Sequence, residues 1–267
     1  MSLRDRLPAW ALDAARSVLD ASSPARRRAT SSRRRAAASG RDQTLALGLG
    51  DSVLAGPFAG MRMSPDASWG GLAARLVGSY EEEIADELLD LLGRQPPRVL
   101  DIGAAEGYYA VGVARLLPSA AVLAFDIDPA ARRLCRTNAR LNGVTNLRVR
   151  GRADHGRLRR ALVPAALVLC DCEGFEAVLL DPALVPGLRT ADLLVELHEF
   201  AWPGVTGLLL QRFAATDDVV LVDARPRRGA DHPALAHLSG QDADRAVDEG
   251  RPVEPHPMQW AVLRVKE

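Results

Sequence analysis

The 267-residue chain is predicted to adopt an α/β fold, a mostly parallel sheet with helices on both faces and an antiparallel C-terminal strand. Three observations carry this expectation. From residue 98 onward, short apolar runs alternate with segments of helical period. The runs RVLDIG, AVLAFDID, NLRVR, ALVLCD, DLLVEL and DVVLVDA are largely unbroken in Val, Leu and Ile, as in strands buried on both faces of a parallel sheet. The first run ends in a glycine turn that opens a helix, VLDIGAAEGYYAVGVARLL.

In chain order, residues 3–20 place Leu3, Leu7, Trp10, Ala14 and Val18 at helical spacing and predict a short N-terminal helix. Residues 21–41 are rich in Ser, Ala and Arg without an apolar period and are expected to be a disordered linker. Residues 42–69 are expected to form a cap containing short strands, because LALGLGDSVLAGPFAG is broken by glycines. A domain over 70–267 then opens with SYEEEIADELLDLLG, a helix with Ser79 as cap, acids in its first turn and Gly93 at its end. Further helices are expected at 107–117, 129–142, 175–185 and 204–214. The last run, MQWAVLRVKE, follows a proline-rich loop at 251–257 and is expected to pair antiparallel.

Composition excludes several classes. Hydrophobic residues at 48% and charged residues at 25% are those of a globular protein. No apolar run approaches the roughly 20 residues of a membrane helix, and the first residues lack the apolar stretch of a secretory signal. Three cysteines without C-x-x-C spacing fit a reducing, cytoplasmic setting. Residues 1–20 are balanced, residues 21–41 hold seven arginines and no acid, and the net charge is zero, so residues 42–267 carry −7. An acidic folded part makes nucleic acid an unfavoured partner despite the basic stretch.

The turn reads G-x-x-x-G (Gly103, Ala104, Gly107) rather than the dinucleotide pattern G-x-G-x-x-G. Its glycines permit a close backbone approach to a ligand. Asp101 and Glu106 in the same turn repel a diphosphate and suit a cationic ligand group. Asp126 ends the second strand, where an acid accepts hydrogen bonds from ribose hydroxyls. Ala153 and Asp154 follow the third strand, in position to meet a purine. An adenosine joined to a cationic amino acid without phosphate is S-adenosylmethionine. A nicotinamide-dependent oxidoreductase is the rival reading, disfavoured by the missing glycine position and the acids in the turn.

In this order the motifs resemble the FkbM family of class I S-adenosylmethionine-dependent methyltransferases, across roughly residues 70–223. The resemblance is carried by the D-x-G-A-x-x-G turn, by Leu134, Asn138, Leu141 and Asn142, and by the D-x-E-G-x-E of Asp171, Glu173, Gly174 and Glu176. Asp126 stands where glutamate is commoner and Ile127 where proline is usual. The resemblance implies a Rossmann-like class I methyltransferase fold and O-methylation of a small-molecule hydroxyl, typically on a sugar or natural product. It places Asp101, Gly103, Ala104, Glu106, Gly107, Asp126, Ile127, Ala153, Asp154 and Asp171 on the cofactor.

Methyl transfer to a hydroxyl needs positioning and removal of its proton. Asp171 and Glu173 follow the fourth strand, while Glu196 and His198 close the fifth. His198, Glu173 and Asp171 are therefore assigned to catalysis, with His198 as the base because its ordinary pKa of about 6.5 suits neutral pH. A divalent ion on Asp171, Glu173 and Glu196 or His198 is chemically open, but the assignment is made without metal. Cys170 and Cys172 are read as packing residues and Glu176 as complementing a helix dipole. The fourth strand lacks the N/D-P-P-aromatic segment of adenine amino methylation, and no cysteine follows a proline as in cytosine C5 chemistry. RNA ribose methylation using the basic stretch, or a non-catalytic cofactor-binding role, are the alternatives.

Overall fold

The computed structural model describes residues 40–66, 71–249 and 258–266. The expected helix at 3–20, nearly all of the Arg-rich stretch and the loop at 251–257 lie outside the described residues. The described residues form a seven-stranded sheet in the order β3-β2-β1-β4-β5-β7-β6. Its strands are β1 Arg98–Ile102, β2 Ala121–Phe125, β3 Leu147–Arg150, β4 Leu167–Cys170, β5 Asp192–Leu197, β6 Asp217–Asp223 and β7 Gln259–Val265. The strands from β1 to β5 pair parallel, and β7 pairs antiparallel with both β5 and β6. All seven expected strands are present, and the late strand has the expected direction.

Alternation along these buried strands feeds two cores. Val99, Val122, Leu167, Leu169 and Leu194 point into one, and Leu100, Val168, Cys170, Leu193 and Val195 into the other. The first core is covered by α3 (Ala85–Gly93), α4 (Tyr108–Leu116) and α5 (Pro129–Leu141), and the second by α6 (His155–Ala161), α7 (Glu176–Leu179) and α8 (Val205–Phe213). Asp128 caps α5 by accepting from the Ala130 amide at 2.7 Å, with Pro129 at its first position.

Residues 42–69 differ from expectation. Residues Gly40–Leu49 form a helix, α1, and the only strand-like feature described there is an isolated bridge between Ser52 and Arg62. Leu45, Ala46 and Leu49 face the core while Leu47 is exposed, a helical rather than alternating pattern. A six-residue helix, α2 (Leu72–Val77), follows. The expected helix from Ser79 is a 3-10 turn, Glu82–Ile84, before α3. Ser79 does not cap it, since its hydroxyl donates back to the Ala74 carbonyl. The segment after β6 carries α9 (Gly240–Val247), which packs on α1 and α2, so the segments before α3 and after β6 meet on one face.

Candidate active site

The carboxyl ends of the parallel strands bring the expected residues to one edge. Gly103 turns the chain out of β1 at φ 91°, and its amide and that of Ala104 both donate to the Phe125 carbonyl. A Cβ on Gly103 would overlap the carbonyl oxygen of Asp171, so only glycine lets the turn lie against the end of β4. Gly107, at φ 86°, opens α4; a Cβ there would sit 2.6 Å from the Cys135 sulfur. Both glycines are thus required by the close packing of the turn against the end of β4 and against α5.

Around it stand the acids. Asp101 is buried, its Oδ2 has no hydrogen-bond partner, and burial followed by the nearby charge of Asp171 pushes its pKa up to about 8. An orphaned carboxyl oxygen of this kind fits a cationic ammonium partner. Asp126 accepts from the amides of Ala105 (2.8 Å) and Asp128 (2.7 Å), and burial raises its pKa to about 6. Both of its oxygens retain accepting capacity for ribose hydroxyls. Beside it Ile127 is 48% exposed, an apolar surface at the sheet edge. Ala153 is buried, while Asp154 is exposed and spends its carboxylate capping α6 through the Arg157 amide at 2.8 Å. That hydrogen bond lies behind its lowered pKa.

Glu106 corrects the expectation for the turn. It is fully buried and ion-paired with buried Arg75 of α2. Its charge is spent on that pair, which removes it from the groups offered to a cofactor ammonium. Its carbonyl accepts from Asn138 Nδ2 at 2.9 Å, and Asn138 Oδ1 accepts from the Ser64 amide at 2.8 Å. Asn142 exchanges two hydrogen bonds with the backbone of Arg62, at 2.8 and 2.7 Å. Asn138 therefore ties the cap to the turn, and Asn142 ties the cap to the end of α5.

On the acceptor side, Asp171 continues the ladder by donating its amide to the Ile102 carbonyl, at 2.9 Å. Glu173 is exposed at φ 58°. His198 is only 3% exposed. Its Nδ1 lies 2.7 Å from Glu176 Oε1, and its Nε2 lies 3.4 Å from Glu196 Oε2 and 3.5 Å from Asp171 Oδ1. Burial opposes a charge on His198, but Glu176, then Asp171 and Glu173, outweigh it and raise the pKa to about 9. The raised pKa makes His198 a poorer proton acceptor near neutral pH than its ordinary pKa suggests. Backbone bonds from Ala201 and Trp202 to the His198 carbonyl, both 2.9 Å, hold it in place.

Glu176 is a site residue that sequence reading passed over. Fully buried, it accepts from the amides of Cys172 and Gly174 at 3.2 Å as well as facing His198. Its position at a helix start gave a sufficient explanation, and its partner lies 22 positions away. Cys170 belongs to the core and Cys172 packs against it, with their sulfurs 3.5 Å apart and both thiols free. Asp171, Glu196 and His198 each offer a ligand atom, all within 4.8 Å of one another.

Comparison with known proteins finds likeness to methyltransferases. A family model described as ribosomal protein L11 methyltransferase (PrmA) matches residues 84–167. A release factor glutamine methyltransferase of Deinococcus radiodurans is 38% identical over 89 residues, covering 31% of this chain and 32% of the relative. The chain thus matches about a third of the length of that curated relative. The O-methyltransferase TomG of Streptomyces achromogenes, involved in tomaymycin synthesis, is 16% identical, with 68% of this chain and 81% of that one covered at a TM-score of 0.44. A Bacillus cereus O-methyltransferase solved with S-adenosylhomocysteine is 14% identical, over 67% and 78% of the two chains, at 0.45. No helix among the described residues is long and apolar enough to cross a membrane. In strand order, glycine turn and matched segment the chain resembles the class I S-adenosylmethionine-dependent methyltransferases.

Proposed function

We propose that this protein transfers the methyl group of S-adenosylmethionine to a hydroxyl oxygen of a small molecule, of sugar or natural-product type, in the cytoplasm. Asp101 takes the ammonium of the cofactor, the Gly103–Gly107 backbone its amino-acid portion, Asp126 the ribose hydroxyls, and Ile127, Ala153 and Asp154 the surroundings of the adenine. The observation that carries the acceptor assignment is the acid edge of Asp171, Glu173 and Glu196 around a pinned His198, next to the cofactor turn. The acceptor hydroxyl attacks the sulfonium methyl in line: the C–O bond forms, the S–CH3 bond breaks, and S-adenosylhomocysteine leaves with the electron pair. The hydroxyl proton goes to a carboxylate of this edge, Asp171 or Glu173. Narrower kinship with the FkbM methyltransferases is supported by the D-x-E-G-x-E segment and the paired asparagines.

Methylation of a protein is the second reading, favoured by what the release factor relative acts on by its name. The match to the PrmA family model ends at Leu167, ahead of the proposed acceptor-side residues, so that match belongs to the cofactor half. Calorimetric titration should show binding of S-adenosylmethionine and S-adenosylhomocysteine and none of NAD; silence with the first two overturns the methyltransferase reading. With radiolabelled cofactor, label should enter hydroxylated small molecules. Label confined to protein or RNA fractions would overturn the acceptor class. His198→Ala and Glu173→Ala should reduce turnover while cofactor affinity stays within a few-fold.

A further inference from the structure

We propose that Asp171, Glu196 and His198 form a binding site for one divalent first-row transition metal at the acceptor side of the sheet edge. The three side chains come from the ends of adjacent strands β4 and β5, and their ligand atoms lie within 4.8 Å of one another. His198 Nε2 stands 3.4 Å from Glu196 Oε2 and 3.5 Å from Asp171 Oδ1. These separations are long for good charge-assisted hydrogen bonds. They are close to those of atoms sharing a metal, since ligands at about 2.1 Å stand roughly 3.0–3.4 Å apart around it.

Two further observations point to a ligand. Asp171 Oδ1, the atom turned toward His198, is shielded from solvent and has no hydrogen-bond partner. His198 is nearly fully buried, and its Nδ1 rests against Glu176, itself fixed by two backbone amides. A carboxylate behind one imidazole nitrogen while the other lies beside two acids is how metal-bound histidines are oriented. Three carboxylates around one imidazole also leave a negative excess even when the ring is charged, which a divalent cation offsets. One imidazole with two carboxylates suits manganese, iron(II), cobalt or zinc.

The site stands on this geometry alone, but its use rests on the methyl-transfer reading: a metal there lowers the pKa of an acceptor hydroxyl brought to it. Glu173, exposed beside the cluster, is then the nearest base. The full chain, stripped with chelator and desalted, would be titrated with Mn2+ followed by electron paramagnetic resonance and with Co2+ followed by its visible bands. One equivalent of each is expected to bind. Glu196→Gln and His198→Asn should each weaken binding more than tenfold, and Glu176→Gln by about 10- to 100-fold. Absence of stoichiometric binding of both ions, or binding that survives unchanged in Glu196→Gln and His198→Asn, overturns the proposal. S-adenosylmethionine calorimetry on the same samples reports folding and tests the cofactor reading separately, and either substitution suffices if the other fails to fold.

Discussion

At the scale of single residues, burial sets the chemistry of the cofactor acids. Asp126 has its pKa raised to about 6 by burial, opposed by the amides of Asp128 and Ala105. It is therefore charged above that pH and protonated below it, and only the charged form accepts from both ribose hydroxyls while still holding its two amides. Affinity for S-adenosylmethionine should fall as pH drops through about 6. Asp126→Asn should bind about 10- to 100-fold more weakly at pH 7.5, the scale of hydrogen bonds to a charged group, and show no inflection near pH 6. Calorimetry between pH 5 and 8 on both proteins checks this; Asp101 is common to the two, so their difference isolates Asp126. The acid was legible in the sequence because strand ends recur at fixed places along the chain. The pairings Arg75–Glu106 and His198–Glu176 were not, since each joins residues that meet only once the sheet is assembled. His198 shows the consequence: its residue type suggested a free base, and the neighbouring carboxylates raise its pKa.

At the scale of elements, continuous apolar strands were readable because both of their faces are buried, whereas short helices were not. In α6 only Leu158 and Ala161 of HGRLRRA are buried, too few to show a period, and the Asp154 that caps it had been read as a ligand. In α1, LALGL alternates leucine with small residues and imitates a strand, although the buried face is helical. The asparagines of α5 explain how these pieces join. Asn138 is 2% exposed and links the Ser64 amide of the cap to the Glu106 carbonyl of the turn. Asn138→Ala leaves a buried donor and a buried acceptor without partners, at about 1–3 kcal/mol each. Urea denaturation should show at least about 2 kcal/mol lost. Hydrogen exchange should speed up at residues 61–66 and in the 103–107 turn together. Faster exchange in only one of them would mean that the asparagine does not couple the two.

At the scale of the whole molecule, a buried cation clasps the segment after β6 to the turn ahead of α3. Arg227 follows β6 and is 6% exposed; it pairs with Glu83, with Glu249 at 3.2 Å and with Glu82 at 3.8 Å. The same region is tied again through the Glu81 amide, which donates to Glu249 at 2.8 Å, and through the Tyr109 hydroxyl, which donates to Glu81. Tyr109 sits two positions past Gly107, so the chain of contacts runs from the 224–249 segment to the first turn of α4. Deleting the guanidinium removes the charge that Glu83 and Glu249 share, and breaking one side of a buried ion pair costs about 3–5 kcal/mol. Arg227→Ala should therefore lower the melting temperature strongly. Arg227→Lys should recover part of that loss, keeping the charge without the planar fork that reaches several acids at once. The cofactor acids Asp101 and Asp126 lie on β1 and just past β2 and take no part in the Arg227 ion pairs. Affinity for S-adenosylmethionine should thus change less than turnover in any Arg227 variant that remains folded. Equal losses in both would mean that the 224–249 segment builds the cofactor pocket itself rather than the acceptor side.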